Sequence, residues 1–194
     1  MTPPERTIEY FPDGKAFRAW LEINHGLQQG VWLKFAKKAG RSAGETSIDY
    51  AQALDEALCF GWIDGQTKGL DENFYLQGFT PRRARSPWSK RNVGKVAELA
   101  AKGLIEPPGQ AEIDRAKADG RWDRAYDGPK DAKTPQDFLD ELAKNSAAAE
   151  FFETLDSQNR FQVYYRLNEA IKPETRARRI AKFVDMFAKG EKFQ

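Results

Sequence analysis

Between Thr80 and Ala97 the chain places Arg82, Arg83, Arg85, Lys90, Arg91 and Lys95 with no aspartate or glutamate, against a net charge of only +2 for all 194 residues. Within "FTPRRARSPWSK", Ser86-Pro87 reads as a helix start: serine caps free amide groups, and proline at the first helical position gives up no needed hydrogen bond. Such a helix would turn its unpaired N–H groups and the positive end of its dipole toward the arginine loop. Arg82, Arg83, Arg85, Ser86, Trp88, Ser89 and Lys90 then form a candidate ligand-binding set. It offers guanidinium forks, a hydroxyl, an ammonium and a flat ring to an anionic small molecule or an anionic protein partner. The structural alternative pairs the arginines with acids of a neighbouring helix, and Asp55 or Glu56 is expected to reach at least one of Arg82, Arg83 and Arg85.

An enzymatic alternative draws on the same neighbourhood. Glu56 or Asp64 would serve as general base near an arginine-held anionic substrate, with Cys59 as nucleophile if arginine lowered its pKa. The apolar neighbours Leu58 and Phe60 favour instead a buried, inert thiol. One cysteine excludes an internal disulfide, and one cysteine with one histidine excludes the usual zinc ligand sets. A Cys59 to His25 dyad remains arithmetically available, but His25 in "INHG" reads as the end of a helix. No nucleophile elbow, phosphate loop or metal-ligand spacing occurs, and no cofactor or metal is expected.

Charge is segregated along the chain. Glu106 to Glu141 holds ten acidic and six basic residues, and Arg160 to Lys192 nine basic and four acidic. A third functional class, nucleic-acid binding, would use both basic stretches. Hydrophobic content of 40% with 12% aromatics indicates a globular chain able to bury a real core. The longest apolar run, Ala57 to Ile63, is broken by Gly61 and falls far short of the roughly 20 residues a membrane span needs. "MTPPERTIEYFPDG" lacks the basic start and apolar stretch of a signal peptide, so a cytoplasmic setting without membrane insertion is expected.

The elements that must position these residues follow from spacing. "RTIEYF" suits a short edge strand, Asp13 an N-cap for the helix "GKAFRAWLEIN", and "GVWLKFAKK" a strand with Val31, Leu33 and Phe35 on one face. Thr46 or Ser47 is expected to cap a helix whose apolar face is Ile48, Ala51, Leu54, Ala57, Leu58 and Trp62. "GWIDGQTKGLDENFYLQGFTPR" reads as a hairpin, and "WSKRNVGKVAELAAK" as a helix with Val93, Val96, Ala97 and Ala100 inward. The fold class is α+β: a small antiparallel sheet of three to four strands packed with helices, followed by a C-terminal helical bundle. Residues 1–122 are expected as the α+β domain, 123–135 as a linker rich in Asp, Pro and Gly, and 136–194 as the helical region.

Five blocks, "EALCFGWIDG", "YLQGFTPRRARSPWSK", "ADGRWDRAY", "AAAEFFETL" and "KPETRARRIAKFVDMFAKGEK", resemble in order and spacing the YdeI/OmpD-associated family, also labelled bacteriocin-protection proteins. The resemblance extends from about Phe17 to Phe193. It implies a part in tolerance of bacteriocins or antimicrobial peptides and association with an outer-membrane porin, without an assigned biochemical activity. The family's periplasmic leaning conflicts with the N-terminal sequence. Pro87 stands where the family pattern usually has Asn, and Gly78 near a usual charge, which argues against a functional role for Gly78.

Overall fold

The computed structural model describes residues 6–193; residues 1–5, part of the N-terminal segment read for targeting, and residue 194 lie outside the described residues. Within them the chain falls into two compact units, one formed by residues up to Trp88 together with Asn92–Arg124, the other by Ser89–Arg91 together with the residues from Ala125 onward.

The first unit is built on a four-stranded sheet in the order β1-β2-β4-β3, comprising β1 (Ile8–Glu9), β2 (Val31–Ala36), β3 (Trp62–Gly69) and β4 (Phe74–Pro81). β3 and β4 form the expected hairpin, and β4 also pairs antiparallel with β2. β1 runs parallel to β2, which makes the sheet mixed. The cause is helix α1 (Gly14–Asn24), which carries the chain back across the sheet between them. Asp13 caps α1, accepting from the Ala16 amide at 2.9 Å. The alternation in β2 is realised: Val31, Leu33 and Phe35 are fully buried, and register sets them beside Phe79, Gln77 and Tyr75. Phe17 of α1 packs edge-on against Phe79 at 5.9 Å.

Helix α3 (Tyr50–Cys59) starts later than Thr46 or Ser47 would set it. Asp49 is its cap, within a reciprocal capping box with Gln52, while Ser47 Oγ accepts from the Ala36 amide at 2.9 Å. The hairpin has its own device. A bulge between Asp64 and Thr67 is filled by the buried Gln77, whose amide donates to Gly65 O at 2.7 Å. Helix α5 (Pro107–Ala118) abuts the end of α3 so closely that a Cβ on Gly109 would meet Cys59 O at 2.1 Å. A short α2 (Lys38–Ser42) and α4 (Lys90–Ala101) complete the elements up to Arg124. On α4 the inward residues are Asn92, Val96 and Leu99, in place of Val93, Ala97 and Ala100.

The second unit gathers α6 (Gln136–Leu142), α7 (Ser146–Glu153), α8 (Ser157–Asn168) and α9 (Pro173–Ala188) around Phe138, Phe152, Val163, Leu167, Phe183 and Phe187. Pro173 opens α9, and Arg176 of α9 clasps Asp137 of α6 through two nitrogens at 2.5 and 2.7 Å. Ser89 bridges in parallel to Tyr126, and the Lys90 amide donates to Tyr126 O at 2.8 Å. The expected linker therefore carries defined pairing at Tyr126 and Asp127. Among the described residues no helix is long and apolar enough to cross a membrane.

Candidate functional site

The basic loop begins where β4 ends. The Arg82 amide donates to Gly61 O at 2.9 Å, which ties the loop to the start of β3. The Arg82 side chain turns inward and is 6% exposed. Its Cζ lies 3.6 Å from the centroid of the Trp88 ring, and Nη1 donates to Pro87 O at 3.1 Å. Trp88, 1% exposed, is held between this guanidinium and Trp122, whose ring centroid is 4.9 Å away. The pair is a packing element, and Trp88 offers no open face for stacking a ligand.

Helix α4 begins at Lys90, not at Ser86-Pro87. Carrying Trp88 into the core keeps the chain non-helical for three further residues. Ser86 closes a turn instead: its Oγ accepts from the Arg83 amide at 3.0 Å, and its own amide donates to Arg83 O at 2.9 Å. The helix-terminus geometry predicted for Ser86 is thus replaced by a side-chain-closed turn.

A second arginine, half-buried and absent from the sequence-derived set, fixes the turn from behind. Arg121 Nη1 donates to Ser86 O at 2.9 Å and to Glu112 Oε1 at 3.1 Å, while its Nε contacts both oxygens of Asp119 at 2.9 and 2.7 Å. Glu112 is only 5% exposed and also pairs with Arg115. The Arg121 guanidinium holds the Asp119 carboxyl below the usual aspartate range. The signal for Arg121 was present in "ADGRWDRAY", but no periodicity links that block to a loop 35 residues earlier.

What remains at the surface is Arg83 and Arg85. Both are exposed, and neither makes an ion pair among the described residues. Ser89 and Lys90 belong to the second unit. There Lys90 pairs with Asp127 at 2.7 Å, and Tyr164 donates to the same carboxylate at 3.0 Å. The Lys90 ammonium, with Tyr164 second, depresses the Asp127 pKa. Of the seven candidates, Arg82 and Trp88 are packed, Ser86 shapes the turn, and Ser89 and Lys90 have local partners. On the helix that carries the acids, Asp55 pairs with Lys95 at 2.5 Å, and Glu56 with Arg18 at 2.9 Å. Arg18, the partner of Glu56, comes from α1.

The enzymatic candidates are partly separated. Glu56 and Cys59 meet at Arg18, which also pairs with Glu106. Asp64 instead accepts from the Tyr50 hydroxyl at 2.8 Å. Cys59 is 1% exposed, and burial, reinforced by the Glu56 carboxylate and opposed by Arg18, pushes its pKa up to about 11. A thiol so protonated and enclosed is a poor nucleophile. His25 Nδ1 lies 3.2 Å from Leu21 O, at the end of its own helix.

A model described as a domain of unknown function, DUF8412, matches residues 9–112, more than half of the chain. The chain belongs to the DUF8412 family. Its second region, residues 131–190, matches the family model described as Bacteriocin-protection, YdeI or OmpD-Associated. The two C-terminal sequence blocks that resemble that family fall largely within this match. "EALCFGWIDG" and "YLQGFTPRRARSPWSK" lie in the DUF8412 region, and "ADGRWDRAY" falls between the two. No curated protein and no solved structure matches the chain.

Proposed function

We propose that the protein is a non-enzymatic recognition module whose DUF8412 region binds an anionic small molecule or the anionic group of a partner through the Arg83–Ser86 turn. The observation that carries this reading is the division of labour among the arginines. Arg82 is buried and Arg121 half-buried, and they occupy the carbonyls of Pro87 and Ser86, while Arg83 and Arg85 stand exposed, without ion pairs among the described residues. A turn closed by Ser86 presents two guanidinium groups two residues apart, a spacing suited to clamping one carboxylate or phosphate. The match of residues 131–190 to a family described by bacteriocin protection supports placing this recognition in tolerance of bacteriocins or antimicrobial peptides.

The test is calorimetric titration and thermal shift with inorganic phosphate, sulfate and a dicarboxylate. The parent is expected to be stabilised by at least one of them, since a ligand bound only by the folded state raises its melting temperature. Replacing Arg83 and Arg85 with Ala is expected to weaken binding about tenfold to a hundredfold for each guanidinium removed, with the unliganded melting temperature unchanged. Binding undiminished in the double variant, or no binding by the parent, overturns the reading.

A further inference from the structure

The sheet has a second face, and its composition differs from that of the core side. Trp32 and Lys34 alternate with Val31, Leu33 and Phe35 and therefore project from the face opposite the core. Register places Gly78 beside Trp32, Leu76 beside Lys34, and Lys68 on the far side of Leu76. Cations gather around the aromatic rings. Arg6 Cζ lies 5.3 Å and Lys68 Nζ 4.4 Å from the Trp32 ring centroid, and Lys34 Nζ lies 3.7 Å from that of Phe74. Among the described residues, no outward-facing position of the strands holds aspartate or glutamate: Asp64 pairs with Phe79, and Glu9 with Leu33, on the core side. Arg6, Lys34 and Lys68 make no ion pair among the described residues.

Gly78 gives this face its shape. A Cβ there would meet Arg6 Nη1 at 2.9 Å and Trp32 Cζ3 at 3.3 Å. Without a side chain at that position, the tryptophan ring and the guanidinium lie down on the sheet. The result is a partly exposed indole with Arg6 and Lys68 over its ring, and Lys34 two residues further along the strand over Phe74. Trp32 and Lys34 are spaced about 6.6 Å apart along the strand, so a base on the ring and a phosphate on the ammonium are within reach of one extended chain.

We propose that this face binds single-stranded nucleic acid, with a base stacking on Trp32 and phosphates meeting Arg6, Lys34 and Lys68. Lys68 lies over the ring on a flexible stem and Arg6 is anchored by Nε donating to Gln29 O at 2.7 Å, and the cation–π contacts they make there exchange for phosphate contacts when a base takes their place. An acidic protein would satisfy the cations but would draw no advantage from a ring laid flat among them. This site is separate from the Arg83–Ser86 turn and shares no residue with it.

The experiment uses the full chain and fluorescently labelled mixed-sequence RNA and DNA strands of about 12 nucleotides, a length within the range one small domain covers. Anisotropy and tryptophan quenching are followed across salt concentrations. Binding is expected, with a plot of log affinity against log salt falling with a slope of about 2, from three phosphate contacts at about 0.7 each. Lys34→Ala is expected to reduce that slope by about a third. Trp32→Ala should weaken binding at least about fivefold at unchanged slope, and Trp32→Phe should restore most of it. If Trp32→Ala does not fold, the comparison of Trp32→Phe with Lys34→Glu and Lys68→Glu carries the test, since Lys68 is exposed, Lys34 is half-buried and neither belongs to the buried core. The Arg83 and Arg85 double variant is expected to bind the strands as the parent does, which separates this inference from the recognition turn. Absence of binding at low salt overturns the proposal. So does equal binding of an acidic peptide of the same length, or variants at Trp32, Lys34 and Lys68 that bind like the parent.

Discussion

Arg82 and Arg83 are neighbours in sequence with opposite surroundings, and the difference sets what each substitution should do. Removing the Arg82 side chain takes away the cation stacked on Trp88 and leaves Pro87 O without its donor. Arg82→Ala is therefore expected to destabilise the fold by about 1–3 kcal/mol, a drop of about 2–4 °C in melting temperature per kcal/mol for a chain of this size. Arg83→Ala should leave the melting temperature within experimental error, so a calorimetric scan of the two variants decides the matter. Cys59 allows a second check: at 1% exposure and with its pKa up at about 11, it should react with a thiol reagent at neutral pH only as fast as the protein opens. Fast native-state labelling would revive Cys59 as a nucleophile. At this scale the sequence indicated that arginines mattered here but not which ones, because no local pattern separates an arginine stacked beneath a tryptophan from one facing water. Arg18 and Arg121, which hold Glu56 and Ser86 O, come from elements whose spacing says nothing about their long-range partners.

Elements with a strict period were legible. β2 and the hairpin lie where alternation places them, and the residues after Pro135 form helices, because each element buries one face of a regular repeat. The start of α4 was not, since Ser86-Pro87 satisfies the local rules for a helix start while the burial of Trp88 requires non-helical chain up to Ser89. Tertiary burial overrode a local signal of smaller energy. The junction of α6 with α9 yields a pH prediction. Arg176, donating through two nitrogens, holds the Asp137 carboxyl below the ordinary aspartate range. A carboxyl depressed in the folded state contributes stability above its unfolded pKa of about 4 and loses it as pH falls through the folded value. With Asp137 47% and Arg176 29% exposed, the contribution stays below about 1 kcal/mol. Asp137→Asn should accordingly lower the melting temperature at neutral pH, and the gap to the parent should close as the solution is acidified below about pH 4. A gap that is constant with pH would mean that the carboxylate's charge contributes nothing.

Over the whole molecule, the linear order of segments does not coincide with the compact units. The α+β fold class could be read from the spacing of apolar and capping residues, yet Ser89–Arg91 group with the residues from Ala125 onward. The cause is a pairing that no sequence period reports, a single parallel bridge from Ser89 to Tyr126 together with the Lys90 to Asp127 ion pair. Asp127 is the junction of that pairing, since its carboxylate accepts from Lys90 and Tyr164 while its amide donates to the Tyr164 hydroxyl at 2.8 Å. A fragment beginning at Ala125 retains Tyr164 and the Phe138, Phe152 and Phe187 cluster but lacks Lys90. It is expected to give the far-ultraviolet dichroism of a helical bundle and to unfold cooperatively, because the buried aromatic cluster is internal to it. Asp127→Asn should then lower the melting temperature of the full chain more than that of the fragment, because only the full chain loses the ion pair along with the carboxylate's charge. The two pairs of melts form a mutational cycle whose coupling belongs to Lys90. Equal shifts in both backgrounds would show that the ion pair does not tie Ser89–Arg91 to the second unit, and that the backbone bridge to Tyr126 holds the segment by itself.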